Sequence, residues 1–334
     1  MLLPSDDASG DADADLLAEL GRAAGSRGRL AWRPLAGVGE LNRHYVVEVG
    51  TAAPMIARLY GWPFPVPEPF DRMAKEAWVL GALAGTSPVI PELLATATTA
   101  TGRGLLMTRL PGDVFGEVAG TLPAPVAAGT WQSVADALRA VHGAVVPGMT
   151  AAGGITGDGV RAYPGGWGAE QARQFQAQAE RLAAARPELA AGLDRAIVIV
   201  TAAAPILDER PVSLVHGDAH PWNVLVAPSD ANGTSWRCTG LLDWEFACAG
   251  DGLVDIVRLD IGRIRPLGPP PVDLLVGYQD HSARIAEEIY RLTYHVWMAN
   301  DSRYFAHRPA FDNAENYLRE LAVRLDHLDR VIGR

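Results

Sequence analysis

The densest chemistry in the chain lies between Leu214 and Val226, which reads Leu-Val-His-Gly-Asp-Ala-His-Pro-Trp-Asn-Val-Leu-Val. An apolar strand delivers a polar turn, and a second apolar strand takes the chain away. Loops held between rigid strands are where catalytic side chains concentrate. A similar arrangement follows Asn223: Gly240-Leu241-Leu242 runs into Asp243-Trp244-Glu245, with Gly250-Asp251 and Asp255 close behind. Asp218, Asn223 and Asp243 make up the set that phosphoryl transfer requires. One carboxylate orients an attacking hydroxyl and takes its proton, while an amide oxygen and a further carboxylate hold Mg2+ on nucleotide phosphates. Oxygen donors of this kind suit Mg2+. An Asp with an ordinary pKa near ~4 is too weak a base to ionise an alcohol beforehand, so positioning must supply most of the rate. A zinc site built from His216, Asp218 and His220 is the competing reading. It leaves Asn223 and the Asp-Trp-Glu segment unexplained, and no third His-rich segment follows.

The pattern His216-Gly217-Asp218-x-His220-x-x-Asn223, followed by Asp243-Trp244-Glu245 and Gly250-Asp251-x-x-x-Asp255, resembles the aminoglycoside phosphotransferase family over roughly residues 30–300. That resemblance implies an α+β, bilobal protein-kinase-like fold: a small N-terminal antiparallel sheet lobe and a larger, mainly helical C-terminal lobe. It implies Asp218 as catalytic base, Asn223 and Asp243 as Mg2+ ligands, and His216 and Asp255 as supports of the loop. ATP, or alternatively GTP, is the implied phosphoryl donor. In the N-terminal lobe Gly37 and Gly39 would arch over the phosphates. Arg58 and Glu76 stand where protein kinases pair a strand lysine with a helix glutamate. Arg58 either reaches the phosphates or only steadies Glu76. The strand Leu105 to Leu110 would be the hinge, with Met107 behind the base and the backbone of Thr108 and Leu110 at its edge. Asp-Trp-Glu is not Asp-Phe-Gly, and no Ala-Pro-Glu segment follows, which disfavours a protein kinase.

For the acceptor, His220, Trp222, Glu245, Tyr163, Trp167 and Asp301 are the candidates. Each has a plainer reading: His220 as a hydrogen bonder within its loop, the aromatics as core. Glu245 and Asp301 would add negative charge for a cationic acceptor. The segment Tyr163-Pro164-Gly165-Gly166-Trp167 reads as a lid or acceptor-binding loop, because Gly and Pro keep it out of a helix. The expected reaction is O-phosphorylation of a small molecule, an aminoglycoside-like antibiotic inactivated by it being favoured. The alternatives are a metabolic kinase for a sugar or amino alcohol, and a nucleotide-binding homologue without catalysis.

The elements that must position these residues follow from the pattern of apolar residues and turns. Residues 1–14 read as a flexible tail and 15–24 as a helix. Strands are expected over 30–35, 44–49, 55–60, 91–98 and 104–109, with a helix over 70–83. Pro111-Gly112 marks a lobe boundary, giving a nucleotide-clamping lobe over 15–111 and a helical lobe over 112–334. In the latter, helices are expected over 124–143, 169–185 and 187–204, a loop over 153–168, and strands over 212–215, 224–226 and 240–242. From 253 to 332 the chain reads as mostly helical.

Composition limits the partners. The 334 residues carry 29 basic and 39 acidic side chains, a net charge of −10 that does not suit a nucleic-acid binder. Lys75 is the only lysine among those 29 basic residues, so any contact that requires an ammonium falls to it. Cys238 and Cys248 read as reduced thiols, and the acidic N-terminus does not resemble a signal peptide. No apolar run is long enough to span a membrane. A cytoplasmic location is expected, and the oligomeric state is not encoded legibly.

Overall fold

In the computed structural model, residues 9–26, 28, 30–35, 42–60, 71–261, 270–276, 278, 280–304 and 318–325 are described. The chain divides into two units. One comprises Met1–Gly112, Thr156–Gly159 and Thr239–Glu245; the other comprises Asp113–Ile155, Val160–Cys238 and Phe246–Arg334.

The first unit holds α1 (Ser9–Ala23), β1 (Leu30–Pro34), β2 (Asn42–Val49), β3 (Met55–Tyr60), α2 (Arg72–Ala82), β4 (Leu93–Thr98) and β5 (Arg103–Thr108). The strands form one sheet in the order β1-β2-β3-β5-β4, and every pairing is antiparallel. Alternation along β3 sends Ala57 and Leu59 to one face and Arg58 and Tyr60 to the other. On the first face Leu16, Leu17 and Leu20 of α1 pack with Val47, Ala57, Leu59, Ala95, Ala97 and Leu106. The helix expected to begin at Asp15 therefore begins at Ser9, inside the stretch read as a tail; its leucines bury against the sheet. On the second face, α2 opens on Asp71, whose side chain accepts the Ala74 N–H at 3.1 Å. That cap sets the helix on which Glu76 sits.

The second unit begins with β6 (Asp113–Val114), α3 (Phe115–Val118) and α4 (Ala124–His142). A hairpin follows, β7 (Gly153–Thr156) and β8 (Gly159–Ala162), where the sequence suggested a loop. Its glycines serve strand pairing and the turn: Gly159 has φ +130°, and a Cβ at Gly153 would strike the Arg161 backbone. Helix α5 (Gly166–Ala185) comes next. The single helix expected over 187–204 is divided into α6 (Ala190–Ala202) and α7 (Ala204–Asp208), with Pro205 in the first turn of α7. Then come β9 (Ser213–Val215), β10 (Val224–Pro228), β11 (Trp236–Leu241), β12 (Cys248–Gly250), α8 (Leu253–Ile261) and α9 (His281–Tyr304), with a further helical stretch at 318–325. The strands make two small sheets, β11-β10-β6 and β8-β7-β12-β9. Helix α5 packs on α6, α7 and α9, and α8 packs on α9. Among the described residues no helix is long and apolar enough to cross a membrane.

Candidate active site

In the second unit, the loop after β9 is held by a carboxylate from a distant helix. Val215 pairs with Cys248 of β12, so the strand ends at a fixed point. Asp255, fully buried in the first turn of α8, then accepts the His216 N–H at 2.7 Å and the Gly217 N–H at 2.9 Å. His142, the last residue of α4, places Nε2 2.9 Å from the same carboxylate. Gly217 turns the chain at φ +82°, where a Cβ would also collide with the Phe246 carbonyl. His216 is buried, and its Nδ1 accepts the Asp218 N–H at 3.3 Å.

Asp218 is thereby presented at the head of the loop. Asn223 reaches back from the 3-10 turn Pro221–Asn223 and donates Nδ2 to the Asp218 carbonyl at 3.0 Å and to Oδ2 at 3.2 Å. Arg258 of α8 donates Nε at 3.1 Å and Nη2 at 2.8 Å to Asp218 Oδ1. Burial alone would raise this carboxyl; His220 and Arg258 outweigh it and hold the group well below the usual carboxylate range. The expectation of an ordinary Asp is corrected accordingly: this carboxyl is more acidic.

Among the acceptor candidates of this unit, His220 Nδ1 accepts the Trp222 N–H at 3.2 Å, and Nε2 lies 3.4 Å from Asp218 Oδ2. Trp222 lies over Gly116 of α3, so closely that a Cβ there would stand 2.6 Å from its ring. Tyr163 is half-buried, its phenol pushed strongly upward by burial. Trp167 overturns the lid reading. It is 5% exposed near the start of α5, and Nε1 donates to the Tyr290 hydroxyl at 2.8 Å. Tyr290 in turn donates to Asp251, which also takes Arg210 Nε at 3.0 Å. Glycines 165 and 166, at φ +84° and +91°, start the helix rather than free a loop. Asp301 lies on α9 with its side chain outside the described residues.

In the first unit, a buried set of charges surrounds Arg58, which is 2% exposed. Its Nη1 donates to Glu76 Oε1 at 3.1 Å, and Nη2 to Asp243 Oδ1 at 2.8 Å. Glu245 Oε2 lies 3.0 Å from the same Nη2. Tyr60 donates its hydroxyl to Glu76, and the Arg58 guanidinium stands 5.1 Å from the Tyr60 ring centre. Both terminal nitrogens of Arg58 thus face carboxylates: it steadies Glu76 and Asp243 together. Asp243 has φ +70°, the only left-handed non-glycine among the described residues. Asp tolerates this conformation better than most side chains.

Glu245, expected at the acceptor, is instead buried among Arg58, Arg72 and Asn42, the last donating Nδ2 to it at 3.2 Å. Burial, and then the charge of Asp243, push its carboxyl up to about 7 against the pull of both arginines.

The remaining nucleotide candidates are distributed unevenly. Gly37 and Gly39 lie outside the described residues. Met107 is buried on β5 opposite Ile56 and Leu93. Thr108 donates its N–H to the Glu92 carbonyl at 3.0 Å, so the hinge donor expected there is already engaged. Leu110 lies past the end of β5, half-buried. Arg258 escaped sequence reasoning altogether, although its i,i+3 spacing from Asp255 places both on one face of a helix.

Asn223 in the second unit and Asp243 in the first each keep an oxygen of the kind that Mg2+ takes. The amide nitrogen of Asn223 is engaged by Asp218, which leaves its oxygen as the donor for a cation. Asp243 meets Arg58 through Oδ1, leaving Oδ2. These are hard oxygen donors, and the imidazoles that would serve zinc are turned to the loop: His216 to Asp218 N–H, His220 to Trp222 N–H. No cluster of three or more His, Cys, Asp or Glu suited to a metal occurs among the described residues.

Over residues 31–287 the sequence matches the profile of the phosphotransferase enzyme family. No curated protein matches it in sequence. Among solved structures, aminoglycoside 2'-phosphotransferase-IIIa in its GDP complex is similar at 14% identity and a TM-score of 0.62, covering 93% of this chain and 98% of that one. The GDP and kanamycin complex of APH(2")-IIia gives 14% identity and a TM-score of 0.61, with 92% and 97% covered. A crystal structure assigned as a fructosamine-3-kinase from Thermobifida fusca YX-ER1 gives 18% and 0.59, with 94% and 98% covered. Likeness at these identities establishes the kinase-like fold.

Proposed function

Because the chain belongs to the phosphotransferase enzyme family and is a small-molecule kinase acting on hydroxyl groups, we propose that it moves the γ-phosphoryl group of ATP, or of GTP, with Asp218 as base. The observation that carries this reading is the fixed loop itself. Asp255 pins its backbone, and Asn223 and Arg258 aim the Asp218 carboxylate. Asp218 accepts a hydrogen bond from the acceptor hydroxyl and orients its oxygen toward phosphorus. As the new O–P bond forms, the O–H proton passes to Asp218 and the electron pair of the broken P–O bond leaves with the nucleoside diphosphate. So acidic a carboxyl takes its proton late, and most of the rate arises from alignment. Asn223 and Asp243 are the residues that would hold Mg2+, whose charge offsets that of the phosphates. Arg58 keeps Asp243 and Glu76 in register from beneath.

An aminoglycoside-like antibiotic is the favoured acceptor, supported by the aminoglycoside phosphotransferases among the structural relatives. The role would then be resistance by inactivation, in the cytoplasm where ATP is made. An amino-sugar acceptor is the second reading. It is favoured by the fructosamine-3-kinase relative and by the burial of Glu245, which removes one expected contact for a polycation.

The test is a product-mass screen with Mg-ATP against aminoglycosides, other antibiotics and amino sugars, scoring the gain of one phosphoryl group. Asp218→Asn should abolish the product while keeping nucleotide binding. Nucleotide binding without turnover on any acceptor would leave a binding homologue, and activity restored by zinc but not Mg2+ would overturn the reading.

A further inference from the structure

The two oxygens of Asp218 are held differently. Oδ1 takes both Arg258 Nε at 3.1 Å and Nη2 at 2.8 Å. Oδ2 meets only longer contacts, Asn223 Nδ2 at 3.2 Å and His220 Nε2 at 3.4 Å. The Arg258 fork takes both accepting positions of Oδ1, whereas Oδ2 accepts one hydrogen bond, from Asn223, and is the oxygen with a position left for an incoming hydroxyl.

Arg258 is itself locked. Its side chain is 10% exposed, and its guanidinium stands 4.2 Å from the ring centre of Tyr294, which packs edge-on against Trp297 of the same helix, α9. It also lies one helical turn after Asp255 on α8. One helix therefore grips the loop twice, by its backbone through Asp255 and by its reactive side chain through Arg258.

Resting on the proposed transfer reaction, we propose that Arg258 is a positioning residue that fixes the rotamer of Asp218 and selects Oδ2 as the oxygen that receives the acceptor's proton. A guanidinium suits this task because its planar fork sets an angle as well as a charge; an ammonium would supply only the charge.

The experiment compares wild type, Arg258→Met and Arg258→Lys in the full chain. Turnover is measured with Mg-ATP and the acceptor found in the mass screen, or with water as acceptor if none is found. Arg258→Met should lower kcat about 100-fold, the scale expected of a misplacement near 1 Å, with KM for Mg-ATP unchanged. Arg258→Lys should recover part of kcat. An unchanged kcat in a folded Arg258→Met protein overturns the proposal, and so does a raised acceptor KM at constant kcat, which would make Arg258 an acceptor contact.

A second readout needs neither activity nor a foldable Met variant. The Arg258 Nε–H resonance, assigned through Arg258→Lys, should move when Asp218→Asn is introduced; an unmoved resonance overturns the pairing. Wild type that shows this shift yet transfers phosphoryl to nothing would defeat the functional reading and leave the side-chain pairing standing.

Discussion

At the scale of single residues, three carboxylates crowd around two arginines of the first unit. Arg58 and Arg72 face Glu76, Asp243 and Glu245, and burial together with the charge of Asp243 raises the Glu245 carboxyl to about 7. A carboxyl raised on folding stabilises the folded state fully below its unfolded pKa, and that contribution is lost as pH rises through the folded value. The ordinary glutamate value of 4.5 and the folded value of about 7 place the loss between them. On the scale of about 1.4 kcal/mol per pKa unit, it is on the order of a few kcal/mol. Glu245→Gln carries no such charge, so its melting temperature in metal-free buffer should exceed that of wild type at pH 8 and match it at pH 5. Parallel melting curves for the two proteins across that range would remove Glu245 as the cause. Little of this was legible in advance. Asp218, Asn223 and Asp243 stand out because polar residues of those types interrupt apolar strands. The burial of Glu245 and the pairing of Arg258 depend on partners far along the chain, Arg72 and Asp218, which spacing alone does not bring together.

At the scale of elements, the loop between β9 and β10 is shaped by backbone conformation as much as by side chains. Gly217 combines φ +82° with a space closed by the Phe246 carbonyl. Gly217→Ala meets both obstacles: a left-handed alanine costs about 1–2 kcal/mol, and the added Cβ must push one backbone from the other. Since Gly217 also donates its N–H to Asp255, the strain falls on the loop that presents Asp218. Phosphoryl transfer should fall at least tenfold while the far-ultraviolet dichroism stays that of wild type; retained transfer would show that the loop tolerates the shift. The antiparallel sheet and α2 were readable because short apolar strands are joined by glycine-containing turns and α2 carries a helical period. The hairpin β7–β8 was not, because Gly153, Gly154 and Gly159 carry the signal of a loop while the pairing of β7 with β12 decides the outcome. The helix division at Ala203 was encoded by Pro205, and residues 9–14 are helical rather than tail because α1 packs its leucines on the sheet.

At the scale of the whole molecule, the net charge of −10 supplies a field rather than a site. Exposed charges act over a Debye length of about 8 Å at physiological salt, so their pull on a polycation weakens as salt is added. If the acceptor is an aminoglycoside, its KM should rise several-fold between 50 mM and 500 mM salt, whereas KM for a singly charged amino sugar should stay nearly level. Steady-state assays at the two salt concentrations distinguish these acceptors without any structural change. At this scale the order of elements gave a short antiparallel sheet preceding a mainly helical part, and the kinase-like fold was legible through the resemblance carried by the motifs around Asp218 and Asp243. The charge balance was equally plain in the composition, yet it carried no information about which hydroxyl is used.

Lys75 gives the composition a practical meaning. It is the sole lysine, buried on α2 beside Glu76. The native protein therefore presents amine-directed reagents with no exposed lysine, and a lysine-specific protease has one internal bond to cut. That bond lies in the helix that carries the partner of Arg58, so cleavage after Lys75 registers the opening of α2, whether it opens by itself or with the whole fold. A scarcity of one amino acid has left the protein with a built-in reporter of a single helix.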